Sequence, residues 1–224
     1  MHAHRYAKHR SQGDEVGTDV AITDGTVVGT PVVHYRKIRT RIGLTKSIMW
    51  LKNDKITLRA PEPEDLELMY AMENDTELWS VGNTLLPYSR YTLRTYLEQS
   101  RQDLFAERQA RFVITLPDGN AAGMIDMAEY DPLNSRAEVC IGVLGMYRGK
   151  GIASEALCLL CEYAFKRLHL HQLYAYIAVE NDESRKLFAK QGFCENAILK
   201  DWLRVENGFS DVVLVQKTAE KGLF

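Results

Sequence analysis

Three carboxylates and a glycine-rich turn are the groups in this chain best able to do chemistry. Asp126 interrupts the apolar run from Gly123 to Ala128 at a position with strand character, where burying an ionised carboxylate without a role is costly. Glu129 ends the same run and Glu138 opens the next. Such groups take a proton from a nucleophile, directly or through water, or hold a cationic amine. As plain strand residues they would instead face solvent or pair with Arg111 and Arg136. Further on, Arg148-Gly149-Lys150-Gly151-Ile152-Ala153 joins a strand pattern (Ala137 to Val143) to an amphipathic helix. There Leu157, Cys161, Ala164 and Leu168 recur at three- and four-residue spacing. A helix start carries N–H groups with no intrahelical partner and the positive end of the dipole, so this order forms an anion site. Gly149 and Gly151, lacking Cβ, let the backbone bend and approach a ligand closely.

The nucleotide P-loop does not fit, because Gly151 is followed by Ile152-Ala153 and not by Lys and Ser or Thr. A dinucleotide fingerprint starting at Gly149 fails at its third glycine, which is Ser154. The loop does resemble the R/Q-x-x-G-x-G/A signature of the GNAT N-acetyltransferases, with Arg148, Gly151 and Ala153 at the defining positions. The following segment extends the likeness. Leu173 to Val179 is a β-rich run, Glu180 to Ser184 is a helix-start cluster, and the next short helix ends in Lys190-Gln191-Gly192-Phe193, the family's K-x-G-F pattern. The resemblance spans Lys55 to Gln216 and is strongest to the branch holding ribosomal-protein N-terminal acetyltransferases and bacterial spermidine acetyltransferases.

That resemblance implies a cofactor, acetyl-CoA, and a set of contacts to it. The pyrophosphate would rest on Arg148, Gly149, Lys150, Gly151, Ile152 and Ala153. The pantetheine arm would lie where one strand splays from the next, beside Asn181, Ser184 and Phe188. Backbone groups of Ile141, Gly142 and Val143 would meet the cofactor and polarise the thioester carbonyl. On the acceptor side the resemblance implies Asp126 and Glu138, to which the residues themselves add Glu129 on the same strand, with Trp79, Leu85 and Tyr88 on a wall that the resemblance builds from two helices and their loop. For Trp79 and Tyr88 the competing expectation is a place in the core. The catalytic candidates are Glu138, Asp126 and Ser184. Ser184 enters because many members carry a proton-donating Tyr where this chain has Phe188, and Ser184 lies one turn earlier on the same helix face. A second departure is that Ser80 to Leu86 holds no acidic residue, which weakens the polyamine expectation.

The chemistry sizes the need for a base. A primary alkylamine with pKa about 10.4 costs about 4 to 5 kcal/mol to deprotonate at pH 7, whereas an α-amine near 7.8 costs about 1. A polyamine acceptor therefore demands more of the carboxylates than a peptide N-terminus does. No Cys beside a His offers a nucleophile, so transfer is expected to be direct.

The positioning elements follow in order. Ile56 to Arg59 reads as a first strand. Pro61 and Pro63 introduce a helix carrying Leu66, Met69, Tyr70 and Met72, and Ser89 caps a second carrying Leu93, Tyr96, Leu97 and Ser100. Arg111 to Leu116 and Ala121 to Tyr130 form a hairpin about Pro117-Asp118-Gly119-Asn120, and Ala137 to Val143 extends the meander. Glu195 to Arg204 and Phe209 to Val215 flank Glu206-Asn207-Gly208 as a second hairpin. The expected class is α/β (α+β) with the GNAT fold, a mixed, mostly antiparallel central sheet with helices on both faces.

The 224 residues, 46% hydrophobic and 26% charged, suit one domain with an extension. Residues 1–48 show no sustained pattern; they read as an N-terminal extension, flexible or translated from upstream of a start at Met49, with 49–224 as the acetyltransferase domain. Thr26 to His34 could add an edge strand. The extension holds 8 basic and 4 acidic residues, leaving 20 and 26 for the remainder. An acidic body argues against nucleic acid as a partner. No apolar run approaches the roughly 20 residues of a membrane span, and the first 25 lack a signal-peptide centre, so a cytoplasmic home is expected. Cys140, Cys158, Cys161 and Cys194 lie in apolar stretches and read as reduced core thiols. Neither the Cys158–Cys161 pair nor His169 and His171 have further ligands at metal spacing, so no metal is assigned. The expected function is an acetyl-CoA-dependent N-acetyltransferase transferring directly to a primary amine of a polyamine, a small amine or a protein N-terminus. The alternative, prompted by Phe188, is a catalytically silent acyl-CoA-binding module. The resemblance also implies a homodimer or larger homo-oligomer.

Overall fold

A computed structural model describes residues 50–76, 86–100, 103–205 and 208–220. Residues 1–48, the Thr26 to His34 run, Trp79, Leu85 and Glu206-Asn207 lie outside the described residues. The strands are β1 (Thr57–Arg59), β2 (Ala110–Thr115), β3 (Ala121–Asp131), β4 (Arg136–Val143), β5 (Gln172–Ala178), β6 (Cys194–Val205) and β7 (Gly208–Thr218). They form one sheet in the order β1-β2-β3-β4-β5-β7-β6, antiparallel except where β4 meets β5. The helices are α1 (Leu66–Glu73), α2 (Arg90–Gln99), α3 (Leu104–Glu107), α4 (Ile152–Glu162) and α5 (Asp182–Lys190).

Alternation along the strands divides the core between the two faces. Ile114, Ile125 and Met127 join Leu157 and Leu160 of α4 and Phe188 of α5 in the larger cluster. Their neighbours Val113 and Met124 turn the other way, onto Met69 of α1 and Leu93 of α2. The mixed sheet with helices on both faces is therefore the architecture found. Ser89 caps α2 by accepting from the Thr92 N–H. Arg59 ties β1 to the turn before α1 through two hydrogen bonds to buried Asp65, at 2.6 and 2.8 Å.

Several details differ from expectation. Helix α3 was not foreseen; Asp103 caps it, but four residues carry no periodic signal. The helix after the glycine loop ends in a π turn, Tyr163–Arg167, which still buries Ala164. Of the four cysteines only Cys161 is buried, and Cys140, Cys158 and Cys194 are exposed although all four are free thiols. An apolar neighbourhood in sequence did not mean burial, because Cys158 falls on the outer side of α4 and Cys194 on edge strand β6. Among the described residues no helix is long and apolar enough to cross a membrane.

Candidate active site

Strands β4 and β5 pair through only three residues each, Arg136 with Gln172, Ala137 with Leu173 and Glu138 with Tyr174. Both continue, β4 to Val143 held by β3 and β5 to Ala178 held by β7. Beyond Glu138 their facing edges have no strand partner among the described residues. The two part into a cleft of about 280 Å³ whose walls include Cys140, Ile141 and Gly142 on one side and Tyr176, Asn181, Ser184 and Phe188 on the other.

At the end of β4, a tight turn (Gly145–Tyr147) leads into the glycine loop. Gly149 and Gly151 have φ of 73° and 78°, left-handed values that glycine adopts without penalty. Gly151 is the N-cap of α4 and brings no side chain to the first-turn N–H groups, which leaves them to an anion. The loop is held from three sides. Arg148 Nε donates to the Val143 carbonyl at 3.2 Å, Glu155 receives Lys55 and Asn53, and Gln191 Nε2 donates to Ser154 Oγ at 2.7 Å. Lys150 is exposed and lies over the Tyr147 ring. Ile152 is buried, so Ile152 contributes backbone only, and Ala153 follows it in the first turn.

The opposite mouth of the cleft is acidic. Arg111 on β2 sits between two carboxylates, with Nη1 2.7 Å from Glu73 Oε1 and Nη2 3.0 Å from Asp126 Oδ2. Burial raises the Asp126 carboxyl to about 6 against the pull of Arg111, and Glu73 adds to the rise. Its second oxygen, Oδ1, is buried without a hydrogen-bond partner among the described residues. Asp126 is thus both an ion-pair partner and a cleft group. Glu138 also lines the cleft; burial, then the charge of Glu129, pushes its carboxyl up. Cys140 is open to solvent along one side, with Sγ 4.0 Å from Glu138 Oε1. Desolvation of the thiol among the cleft side chains, then the charges of Glu138 and Asp126, push it up to about 12. At neutral pH it is a thiol, a poor nucleophile.

The cleft thus gathers Asp126, Glu138, Ile141, Gly142, Asn181, Ser184 and Phe188. Asn181 caps α5, its Oδ1 accepting the Ser184 N–H at 3.0 Å. Phe188 is buried edge-on against Phe193. Val143 pairs with Gly123 behind the cleft wall. Two expected acceptor groups lie elsewhere. A bulge between Ala128 and Asp131 gives Glu129 a φ of 48° and leaves it exposed outside the cleft lining. Tyr88 is neither in the core nor on the cleft; it is exposed, with its backbone held by the Asn74 side chain. Sequence inspection missed Glu73, Cys140 and Tyr176. Alternation from Glu138 to Cys140 and from Tyr174 to Tyr176 is the signal that could have found the last two.

Residues 55–194 match the family model described as acetyltransferase (GNAT) domain. The chain is 29% identical over 160 residues to a spermidine N(1)-acetyltransferase of Vibrio cholerae, covering 71% of this chain and 91% of that one. It is 30% identical over 167 residues to a putative ribosomal N-acetyltransferase of Bacillus subtilis, covering 72% and 90%. The crystal structure of spermidine N-acetyltransferase from Vibrio cholerae in complex with CoA and spermine superposes with a TM-score of 0.67 at 27% identity, covering 74% of this chain and 96% of that one.

Proposed function

Because the chain belongs to the GNAT acetyltransferase family, an N-acetyltransferase family that uses acetyl-CoA, we propose that it acetylates a primary amine of a cationic acceptor, a polyamine or small amine ahead of a protein N-terminus. The observation that carries the choice of acceptor is the carboxylate cluster at the cleft mouth. Among the described residues of the cleft lining, Glu73, Asp126 and Glu138 are acidic and the half-buried Arg111 is basic, so acidic side chains outnumber basic ones where an ammonium group would enter. Spermidine acetyltransferases among the relatives point the same way.

The residues fit acetyl-CoA. An uncapped eleven-residue helix start with two left-handed glycines suits the pyrophosphate. Unpaired strand edges on both sides of the cleft offer backbone groups to the amide-rich arm. The thioester supplies an activated acetyl group. Glu138, raised by burial, takes the proton of the attacking amine, and the backbone at Ile141 and Gly142 receives the charge that develops on the carbonyl oxygen. Asp126 holds the ammonium as it enters. Cys140 stays protonated, in keeping with direct transfer.

The test is thiol release from acetyl-CoA with spermidine, diamines and peptides bearing free N-termini, alongside calorimetric binding of acetyl-CoA. Polyamine-dependent release that falls about 10²- to 10⁴-fold in Glu138→Gln, with acetyl-CoA affinity unchanged, is the expected result. Release with peptides alone would reassign the acceptor, and unaltered turnover in Glu138→Gln would remove Glu138 from its role.

A further inference from the structure

Acetyl transfer leaves a thiolate that needs a proton, and Phe188, deep on the cleft wall, has none to give. Among the described residues, two hydroxyl side chains line the same cleft, Ser184 and Tyr176. Tyr176 stands two residues beyond Tyr174, the last β5 residue paired with β4, so both rings lie on one face of the strand. Glu138, the last paired residue of β4, therefore occupies one lip of the opening and Tyr176 the other. The Tyr176 ring is held from two sides. It stacks on Trp202 of β6 at 6.0 Å and 24°, and Tyr174 meets it edge-on at 5.7 Å and 77°. Its hydroxyl makes no hydrogen bond to any described residue, which leaves the donor to a ligand. A phenol is a far stronger acid than an alkanol, and a thiolate whose conjugate acid lies near 8.5 is a weak base. The phenol is thus the better matched of the two donors.

We propose that Tyr176 is the general acid of this enzyme, an inference that rests on the acetyltransferase reading above. The amine nitrogen forms its bond to the acetyl carbon while Glu138 takes the amine proton. As the carbon–sulfur bond breaks, Tyr176 gives its hydroxyl proton to the departing sulfur, and the phenolate regains a proton from water. The products are the N-acetyl amine and the free thiol. The ladder of Trp202, Tyr176 and Tyr174 makes Tyr176 a catalytic residue kept at a set angle without a hydrogen bond of its own.

Tyr176→Phe preserves the stacked ring and removes only the donor. Three measurements are made on the full chain: thiol release with the best acceptor, binding of CoA, and binding of desulfo-CoA, which lacks the sulfur. Expected for Tyr176→Phe are a fall in kcat of at least tenfold with KM for acetyl-CoA unchanged, and loss of the preference for CoA over desulfo-CoA that the unaltered protein shows. Difluorotyrosine at position 176 is expected to move the alkaline limb of kcat to lower pH, which a purely packing role would not do. An unchanged kcat and an unchanged sulfur preference in Tyr176→Phe overturn the proposal, as does loss of both in Ser184→Ala with Tyr176→Phe unaffected. Should the unaltered protein release no thiol with any acceptor, the underlying acetyltransferase reading fails, and Tyr176 with it.

Discussion

Replacing Asp126 with Asn isolates the energetic cost of the acidic cleft mouth. In the folded protein the Asp126 carboxyl is raised from an ordinary 3.8 to about 6, first by burial and then by Glu73, with Arg111 opposing both. The native state therefore binds a proton that the unfolded chain releases between about pH 4 and pH 6. Stability contributed by this group is present below that window and is lost as pH rises through it. The shift corresponds to roughly 3 kcal/mol, and only about a fifth of the side chain is exposed, 18%, so solvent screening removes little of it. Asn keeps the shape and cannot titrate, but it gives up the charge-assisted bond to Arg111, worth about 1.5 to 3 kcal/mol. That bond is already counted in the value of about 6, so at pH 7.5 Asp126→Asn, which removes the buried charge, is expected to be up to about 3 kcal/mol more stable than the unaltered protein. The decisive quantity is the change in that difference with pH, since Asn at 126 does not titrate. Urea unfolding followed by tryptophan fluorescence at pH 4.5, 5.5, 6.5 and 7.5 reads it. The variant should lose ground by about 2 kcal/mol, relative to the unaltered protein, as pH falls across this range. Parallel stability curves would show that burial does not raise Asp126, and the electrostatic account of the cleft mouth would be wrong.

Two glycines separate crowding from backbone strain. A Cβ on Gly123 would run into the Gly142 carbonyl oxygen and lie 2.9 Å from Val143 Cα, so Gly123→Ala forces β4 aside; a loss of about 1 to 3 kcal/mol and a fall in kcat are expected by urea unfolding and thiol release, and a variant with full stability and activity would show that the strands have room. Gly151→Ala meets open space but keeps a φ of 78°, so strain alone applies; a stability loss of about 1 to 2 kcal/mol and weaker calorimetric binding of acetyl-CoA are expected, and unchanged affinity would separate the loop from the anion site.

The order of strands and helices was legible because each signal is local. Apolar runs of strand length mark β2 to β4, Pro117-Asp118-Gly119-Asn120 marks their first turn, and Ser89 marks the start of α2. The glycine loop was legible for the same reason. What escaped depends on contacts far apart in the chain. Glu73 meets the site through Arg111, 38 residues later in the chain. Glu129 looked equivalent to Asp126, but a bulge that no residue type announces turns it outward. Cys140 and Tyr176 read as ordinary strand residues until the parting of β4 from β5 opens their faces to the cleft.

The narrowness of that junction bears on how the protein folds. The sheet consists of two ribbons, β1 to β4 built from neighbours in sequence and β5, β7 and β6 built around the last hairpin, stitched by three residue pairs. Side chains of α4 and α5 bridge the seam beneath. Each ribbon can zip from short-range contacts, and docking the two is the late, long-range event. The seam is then the natural boundary between cooperative units. An acetyl donor bound in the cleft as proposed would span that seam and join those units, so the molecule consumed in the reaction would also fasten the two halves of the fold.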